Sequence, residues 1–217
     1  MSEGPSTLIL DLDGTLIDSR PVILECFARA VQTVIPRRDF DAASIRLGPP
    51  IRQMFQISFP DAMSSELDSL LRAFRYEYDQ DGPARTLPYD GALEVLAHCQ
   101  RRGIVLDVAT NKPWRISAAI LARLKMDHFF RTVLGSDSVQ PPFANKSEML
   151  LHLLQAHRLN RAETWFVGDS SEDAAACAAC GLRFVWAAYG YGKLAEAEAK
   201  GAFATIRRLG ELPGLLG

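Results

Sequence analysis

Short apolar-leaning runs recur along this chain, and stretches with helical spacing fill the intervals between them. The runs lie at 7–10, 105–109, 132–134, 164–167 and 183–187. Their length and composition predict strands, and the first, Thr7-Leu8-Ile9-Leu10, suits a strand buried on both faces of a parallel sheet. Helical patterns follow at 90–102, with Asp90 as N-cap and Gly103 past the end, and at 113–124, opened by Pro113. Two more lie at 147–157 and at 171–180, the latter closed by Gly181. Strands alternating with helices predict an α/β fold, a Rossmann-like parallel sheet with helices on both faces.

The spacing adds a second prediction. From residue 105 onward the strands begin about 20 to 30 residues apart, the size of a βαβ unit. Between the first and second strands lie nearly a hundred residues, and there the pattern is helical throughout. Residues 21–34 carry Val22, Leu24, Cys26, Phe27, Ala30 and Val31 on one face, and residues 65–78 carry Leu67, Leu70, Leu71, Phe74 and Tyr78. The expectation is a core domain of residues 1–16 and 87–217 with an all-helical cap domain, residues 17–86, inserted over the carboxyl edge of the sheet. That edge is where ligands bind in open α/β sheets, so the insert is expected to act as a lid.

Composition narrows the function classes. With 217 residues, 48% hydrophobic and 23% charged, the chain is long enough for one large domain with an insert. A net charge of -2 provides no field for nucleic acid or an anionic membrane, and no run reaches bilayer length. The start, Met1-Ser2-Glu3-Gly4-Pro5-Ser6, has no signal-peptide pattern, so a cytoplasmic setting is expected. Cys177 and Cys180 form a C-x-x-C within Ala-rich sequence and without a second Cys or His pair, which favours buried, reduced thiols over a zinc or redox site. Nothing in the pattern specifies an oligomeric state.

The chemistry sits where the strands end. Asp11 and Asp13 follow the first strand one residue apart, and two like charges so close call for a cation or a shared proton. Thr110-Asn111 follow the second strand, Lys146 precedes a helix after the third, and Asp169 follows the fourth, with Asp173 four residues on. A parallel sheet brings all these ends to one edge. Several acids with one ammonium do not suit an anionic substrate unless a divalent cation joins them, and carboxylate oxygens favour Mg²⁺. A carboxylate nucleophile, a second carboxylate to carry protons and a metal together describe phosphoryl transfer through an aspartyl-phosphate. Plainer roles exist for the same residues: turn and cap for Thr110 and Asn111, helix capping for Asp169 and Ser170, a surface position for Lys146. They leave unexplained why four acids share one edge.

These residues resemble known motifs. Asp11-Leu12-Asp13-Gly14-Thr15-Leu16-Ile17-Asp18-Ser19 is similar to the first motif of the haloacid dehalogenase-like hydrolases. Val108-Ala109-Thr110-Asn111-Lys112 resembles their second motif and Gly168-Asp169-Ser170-Ser171-Glu172-Asp173 their fourth. The order, the helical insert, Gly181 and Gly190-Tyr191-Gly192 also fit, and the likeness is to the phosphoglycolate phosphatase-like branch. The resemblance implies Asp11 as nucleophile and metal ligand, and Asp13 as general acid and base whose backbone carbonyl serves the metal. It implies Thr110 and Asn111 as phosphate-binding groups, Lys146 as the neutralising cation, and Asp169 and Asp173 as metal residues. Lys146 departs from the family in being followed by Ser147 rather than Pro, which makes Lys112 the fallback for its role.

The resemblance implies a Mg²⁺-dependent phosphatase of a small phosphorylated metabolite, with 2-phosphoglycolate as first candidate. Dehalogenases of the family have no acid at the position of Asp13, and phosphonatases use a cap lysine, whereas residues 17–86 contain no Lys and no His. A sugar phosphomutase or a pyrophosphatase is the alternative reaction, and a non-catalytic binding module the alternative class. Within the insert, Arg52 follows the stiff turn Gly48-Pro49-Pro50 and is the candidate specificity residue, ahead of Asp18, Arg20 and Arg46.

Overall fold

The computed structural model describes residues 4–38, 40–41, 45, 47–192, 194–195, 199 and 201–217. Its centre is a six-stranded parallel sheet in which β1 (Thr7–Leu10) lies between β4 (Val105–Ala109) and β6 (Thr164–Gly168). Outside these are β5 (Phe130–Leu134) on one side, and β7 (Arg183–Ala187) and β8 (Ala204–Ile206) on the other. All four residues of β1 are buried, as a strand covered on both faces requires. Side-chain alternation divides the sheet into two layers. Leu8 and Leu10 pack with Leu106, Val108 and Val167 in one cluster, and Ile9 packs with Phe166 and Phe184 in the other. The first face is covered by α4 (Ala92–Arg101) and α5 (Trp114–Arg123), the second by α6 (Lys146–Ala156) and α7 (Ser171–Cys180).

The register fixes the edge. Leu10 is level with Val108 on one side and Val167 on the other, so Asp11, Thr110 and Asp169 leave the sheet at neighbouring heights. The Asp11 N–H donates to the Val167 carbonyl at 2.9 Å, which carries the pairing one residue past the strand.

The insert is helical. It comprises α1 (Arg20–Val34), α2 (Ile51–Ser58) and α3 (Ser64–Arg85), with a core of its own built on Phe27, Phe55, Phe74 and Tyr78. Phe27 and Phe55 stack with centroids 4.1 Å apart. The insert's two ends run side by side, because β2 (Ile17–Asp18) pairs antiparallel with β3 (Leu87–Pro88). Ile116 of α5 packs against both the insert's core and the sheet's, joining the two.

Several expectations shift. Asp90 does not cap α4; the helix begins at Ala92 behind Gly91, which takes the left-handed conformation at φ 79°. The helix expected over 65–78 continues to Arg85, and α2, β2, β3 and β8 add elements the pattern did not predict. All four cysteines are buried free thiols. Burial raises Cys26 and Cys99 to about 11 and Cys177 further still, which leaves them inert. Among the described residues no helix is long and apolar enough to cross a membrane.

Candidate active site

Asp11 is the buried centre of the edge, with 6% of its surface exposed. Lys146 Nζ lies 2.8 Å from its Oδ1 and 2.6 Å from Asp173 Oδ1. Lys146 reaches this position because Asn145 caps α6, its side chain accepting from the Glu148 N–H, which fixes the lysine as the first helical residue. Asp173 is held from both sides. Its second oxygen accepts from the backbone N–H of Asp169 and Ser170 and from the Ser170 hydroxyl, while Ser170 caps α7 in return. The capping role and the chemical grouping are therefore both present in one residue.

Oxygens of Asp11, Asp169 and Asp173 lie within 4.8 Å of one another. Burial pushes the Asp11 carboxyl well above its usual range; Lys146 opposes that, and Asp173 and Asp169 add to it. Burial and then Asp173 raise Asp169 to about 6, against the backbone N–H groups of Gly192 and Tyr191 that hold its Oδ2 at 2.9 and 2.6 Å. Burial also works against the charge on Lys146, but Asp11 and Asp173 keep its proton above the ordinary ammonium range. Three acids against one ammonium leave an excess of negative charge on hard oxygen donors, and Asp11 Oδ1 is buried without an aligned hydrogen bond. This donor set fits a hard divalent cation.

Two glycines let the acids come this close. Gly14 has φ 81°, and a Cβ there would stand 2.4 Å from Asp169 Oδ2. At Gly190 a Cβ would meet the Asp169 Cβ at 2.3 Å and the Gly14 carbonyl oxygen at 2.4 Å.

Asp13 stands apart from the three-acid group, with partners of its own. Lys112 Nζ lies 2.9 and 3.1 Å from its two oxygens, and the Ser19 hydroxyl donates to Oδ1. Burial disfavours the Lys112 charge, yet Asp13 and then Tyr78 hold its proton above the ordinary range. The two aspartates of the first motif thus have one lysine each. Lys146, not the fallback Lys112, sits on Asp11. The pairing of Lys112 with Asp13 was not foreseen, and neither was Tyr191, whose hydroxyl accepts from the backbone N–H groups of Ser19 and Arg20 at 2.6 and 3.0 Å.

Thr110 is buried at the same edge, its Oγ1 accepting from the Lys112 N–H at 3.2 Å, which leaves the hydroxyl proton to donate. Asn111 faces the insert instead: its Nδ2 donates to the Gly48 carbonyl at 3.1 Å and to Glu172 at 2.8 Å. Arg52 has partners within the insert: its guanidinium pairs with Asp68 and donates to the Ser64 hydroxyl on an exposed face. Asp18 accepts from the Arg20 N–H and from the Tyr191 hydroxyl, and Arg46 lies outside the described residues.

The sequence model of the haloacid dehalogenase-like hydrolase family matches residues 8–187. A phosphoglycolate phosphatase of Pseudomonas syringae pv. tomato is 29% identical over 230 residues, covering 98% of this chain and 80% of that protein. Tyrosine-protein kinase PtkA of Mycobacterium tuberculosis is 30% identical over 192 residues, covering 88% of this chain and 65% of that protein. Its solved structure superposes with a TM-score of 0.82 at 28% identity over the whole of both chains. A haloacid dehalogenase-like family hydrolase from Streptococcus pneumoniae superposes with a TM-score of 0.87 at 20% identity, again over both whole chains.

Proposed function

This chain belongs to the haloacid dehalogenase-like hydrolase family and is a hydrolase of phosphoric monoesters, and we propose that it acts on a small phosphorylated metabolite, 2-phosphoglycolate first, with Asp11 as nucleophile and Mg²⁺ as its metal. The observation that carries the reading is the division between the two aspartates: Asp11 buried beside Lys146 and two further acids, Asp13 20% exposed at its side chain beside Lys112. A nucleophile gains from a dry, charge-balanced setting, and a proton carrier needs contact with water.

Asp11, Asp169 and Asp173, with the Asp13 carbonyl, are the residues that would hold the ion. Mg²⁺, when bound, supplies positive charge to the oxygens of the transferring phosphoryl group. The remaining work falls to the chain. An Asp11 oxygen attacks phosphorus, and the bond to the ester oxygen breaks. Asp13 gives that oxygen a proton, so the alcohol departs and the phosphoryl group rests on Asp11. Asp13 then takes a proton from a water that attacks phosphorus, releasing phosphate and restoring the Asp11 carboxylate. Lys146 and the Thr110 hydroxyl stabilise the charge that accumulates between them.

The division into a core of residues 1–16 and 87–217 and a cap of residues 17–86 belongs to this reading, with α1–α3 as a lid over the edge. Its supports are the paired ends at β2 and β3 and the bond from Asn111 to Gly48. A cytoplasmic setting is supported by four reduced, buried thiols. The test is hydrolysis of an aryl phosphate with Mg²⁺, then of a panel of phosphorylated metabolites. EDTA and Asp11→Asn should each abolish turnover; equal rates for wild type and Asp11→Asn would remove Asp11 as nucleophile.

A further inference from the structure

Beside Asp13 the structure leaves two buried hydrogen-bond donors unspent. An ammonium has three N–H groups. Those of Lys112 meet the two Asp13 oxygens at 2.9 and 3.1 Å, which engages at most two of them. The side chain is 7% exposed, and its third proton has no acceptor in hydrogen-bond geometry among the described residues. What it faces is Tyr78 in α3, with Nζ 5.1 Å from the ring centroid and the hydroxyl oxygen near enough to help hold the ammonium proton. Tyr78 is 4% exposed, and its hydroxyl also lacks a hydrogen-bond partner. Buried donors are rarely left unmade, because an unpaired one costs the full loss of its hydration.

The placement of the pair is specific. Asp13 is the group that protonates the departing oxygen, so whatever is bonded to that oxygen lies beside Asp13 and within reach of Lys112. We infer that Lys112 and the Tyr78 hydroxyl form the subsite for a carboxylate on the alkyl group of the substrate, an assignment that rests on the phosphatase reading of Asp11 and Asp13.

Distance supports it. A hydrogen bond of about 2.7 Å from Asp13 to the leaving oxygen, followed by 2.9 Å from Asp13 to Lys112, places Nζ less than about 6 Å from that oxygen. In an ester whose carboxylate is one carbon removed, ordinary bond lengths put a carboxylate oxygen about 3 Å from the leaving oxygen. One charge-assisted hydrogen bond of about 2.8 Å closes the gap. The second carboxylate oxygen is then free to accept from Tyr78. A neutral alkyl group would bring no acceptor to Lys112 or to the Tyr78 hydroxyl.

The geometry also explains a residue of the insert. Gly82, one turn beyond Tyr78 in α3, lies so close that a Cβ would stand 2.8 Å from the Tyr78 ring, so the helix is built to seat that ring where it is. Tyr78 completes the subsite only while α3 lies against Lys112. Recognition of the acid is thereby tied to the position of the insert.

The test uses the intact chain with Mg²⁺ and two probes that a phosphatase cannot cut: 3-phosphonopropionate, which keeps the carboxylate, and propylphosphonate, which lacks it. Titration calorimetry should show wild type preferring the first by about 10- to 100-fold. Lys112→Met should bring that preference close to one, Lys112→Arg should retain part of it, and Tyr78→Phe should reduce it several-fold. Tyr78→Phe removes only a hydroxyl that makes no aligned hydrogen bond, so it keeps the test decisive if Lys112→Met does not fold. An unchanged preference in Tyr78→Phe and Lys112→Met, or no preference in wild type, would overturn the assignment. Failure of the phosphatase reading shows separately, as wild type that turns over neither 2-phosphoglycolate nor ethyl phosphate while still discriminating between the phosphonates.

Discussion

Replacing Lys146 by Met removes the one ammonium from a buried group of three carboxylates, and the cost follows from its contacts. Lys146 Nζ sits 2.8 Å from Asp11 and 2.6 Å from Asp173, with its side chain 2% exposed. Breaking a buried ion pair by removing one partner costs about 3–5 kcal/mol, because the other charge is left without compensation. An independent ceiling comes from proton uptake. One carboxylate can escape its unpaired charge by binding a proton, and for an ordinary carboxylate at pH 7 that costs about 4 kcal/mol. The two figures agree, so Lys146→Met should lose about 3–4 kcal/mol at pH 7, a large part of a typical domain's stability. The same reasoning sets the sign with pH: at pH 5 the proton costs only about 1.5 kcal/mol, so the penalty shrinks in acid. Urea unfolding in EDTA at both pH values measures it, and Lys146→Met/Asp173→Asn should recover most of the loss by removing one carboxylate with the cation. A penalty below about 1 kcal/mol, or one equal at pH 5 and pH 7, would refute this account of the cluster.

Asp169 gives a linked prediction of opposite sense. Its carboxyl is raised to about 6, so the metal-free fold favours the protonated form, and the associated stability is present at pH 4 and lost as pH rises through 6. Metal-free Asp169→Asn should be more stable than wild type at pH 7.5, by up to about 3 kcal/mol, and indistinguishable at pH 4; thermal melts in EDTA decide it. Mg²⁺ should raise the melting temperature of wild type at pH 7.5 and progressively less toward pH 5, and not at all in Asp169→Asn. Arg52→Ala should leave the order of preference across a metabolite panel unchanged, since Arg52 is spoken for by Asp68 and Ser64; a reordered panel would return it to the site. Gly190→Ala should displace Asp169, from which its Cβ would be 2.3 Å, and weaken Mg²⁺ binding measured by calorimetry; unchanged affinity would show that the loop yields without cost.

The sheet and its working edge were legible because they depend on local pattern and on one topological rule. Thr7–Leu10 announces a strand buried on both faces, and parallel strands must bring their carboxyl ends together, so Asp11, Thr110 and Asp169 were placed without any side-chain geometry. Lys146 was placed just before a helix by the pattern over 147–157, and the structure makes it the first residue of that helix behind the Asn145 cap. What the pattern missed depends on contacts between distant segments. α2 has only eight residues between Pro-rich loops, and β8 has three, too short for periodicity to register. The pairing of Arg52 with Asp68 was not legible because Asp68 is on the next helix. Tyr78 belonged to the apolar stripe of α3 by spacing, and its ring does pack there. Spacing alone does not reveal that the stripe's last member brings a hydroxyl to Lys112, or that Lys112 turns to an aspartate 99 positions earlier.

The two aspartates that begin the motif have to differ although they are chemically alike, and the structure makes them differ through their neighbours. Asp11 lies between acids, so its charge is expensive until a cation joins Lys146. Asp13 instead has an ammonium and a hydroxyl against its oxygens, so its hydrogen bonds are made before any ligand arrives. The excess of negative charge therefore falls on the Asp11 side of the edge. On the other side, the residues that follow Thr110 both reach toward the insert, Asn111 to Gly48 and Lys112 toward Tyr78. A shift of α3 or of the Gly48 loop must change the surroundings of residues 111 and 112, and through Lys112 the setting of Asp13. The three-acid group, held by α6, α7 and the Gly190 loop, meets the insert at another point, through Tyr191, whose N–H donates to Asp169 and whose hydroxyl accepts from the Ser19 and Arg20 N–H groups at the start of α1. A shift of α3 would then be felt first at Lys112 and Asp13, whereas one at the start of α1 would be felt at Asp169 through Tyr191, so the two ends of the insert bear on different acids of one small site.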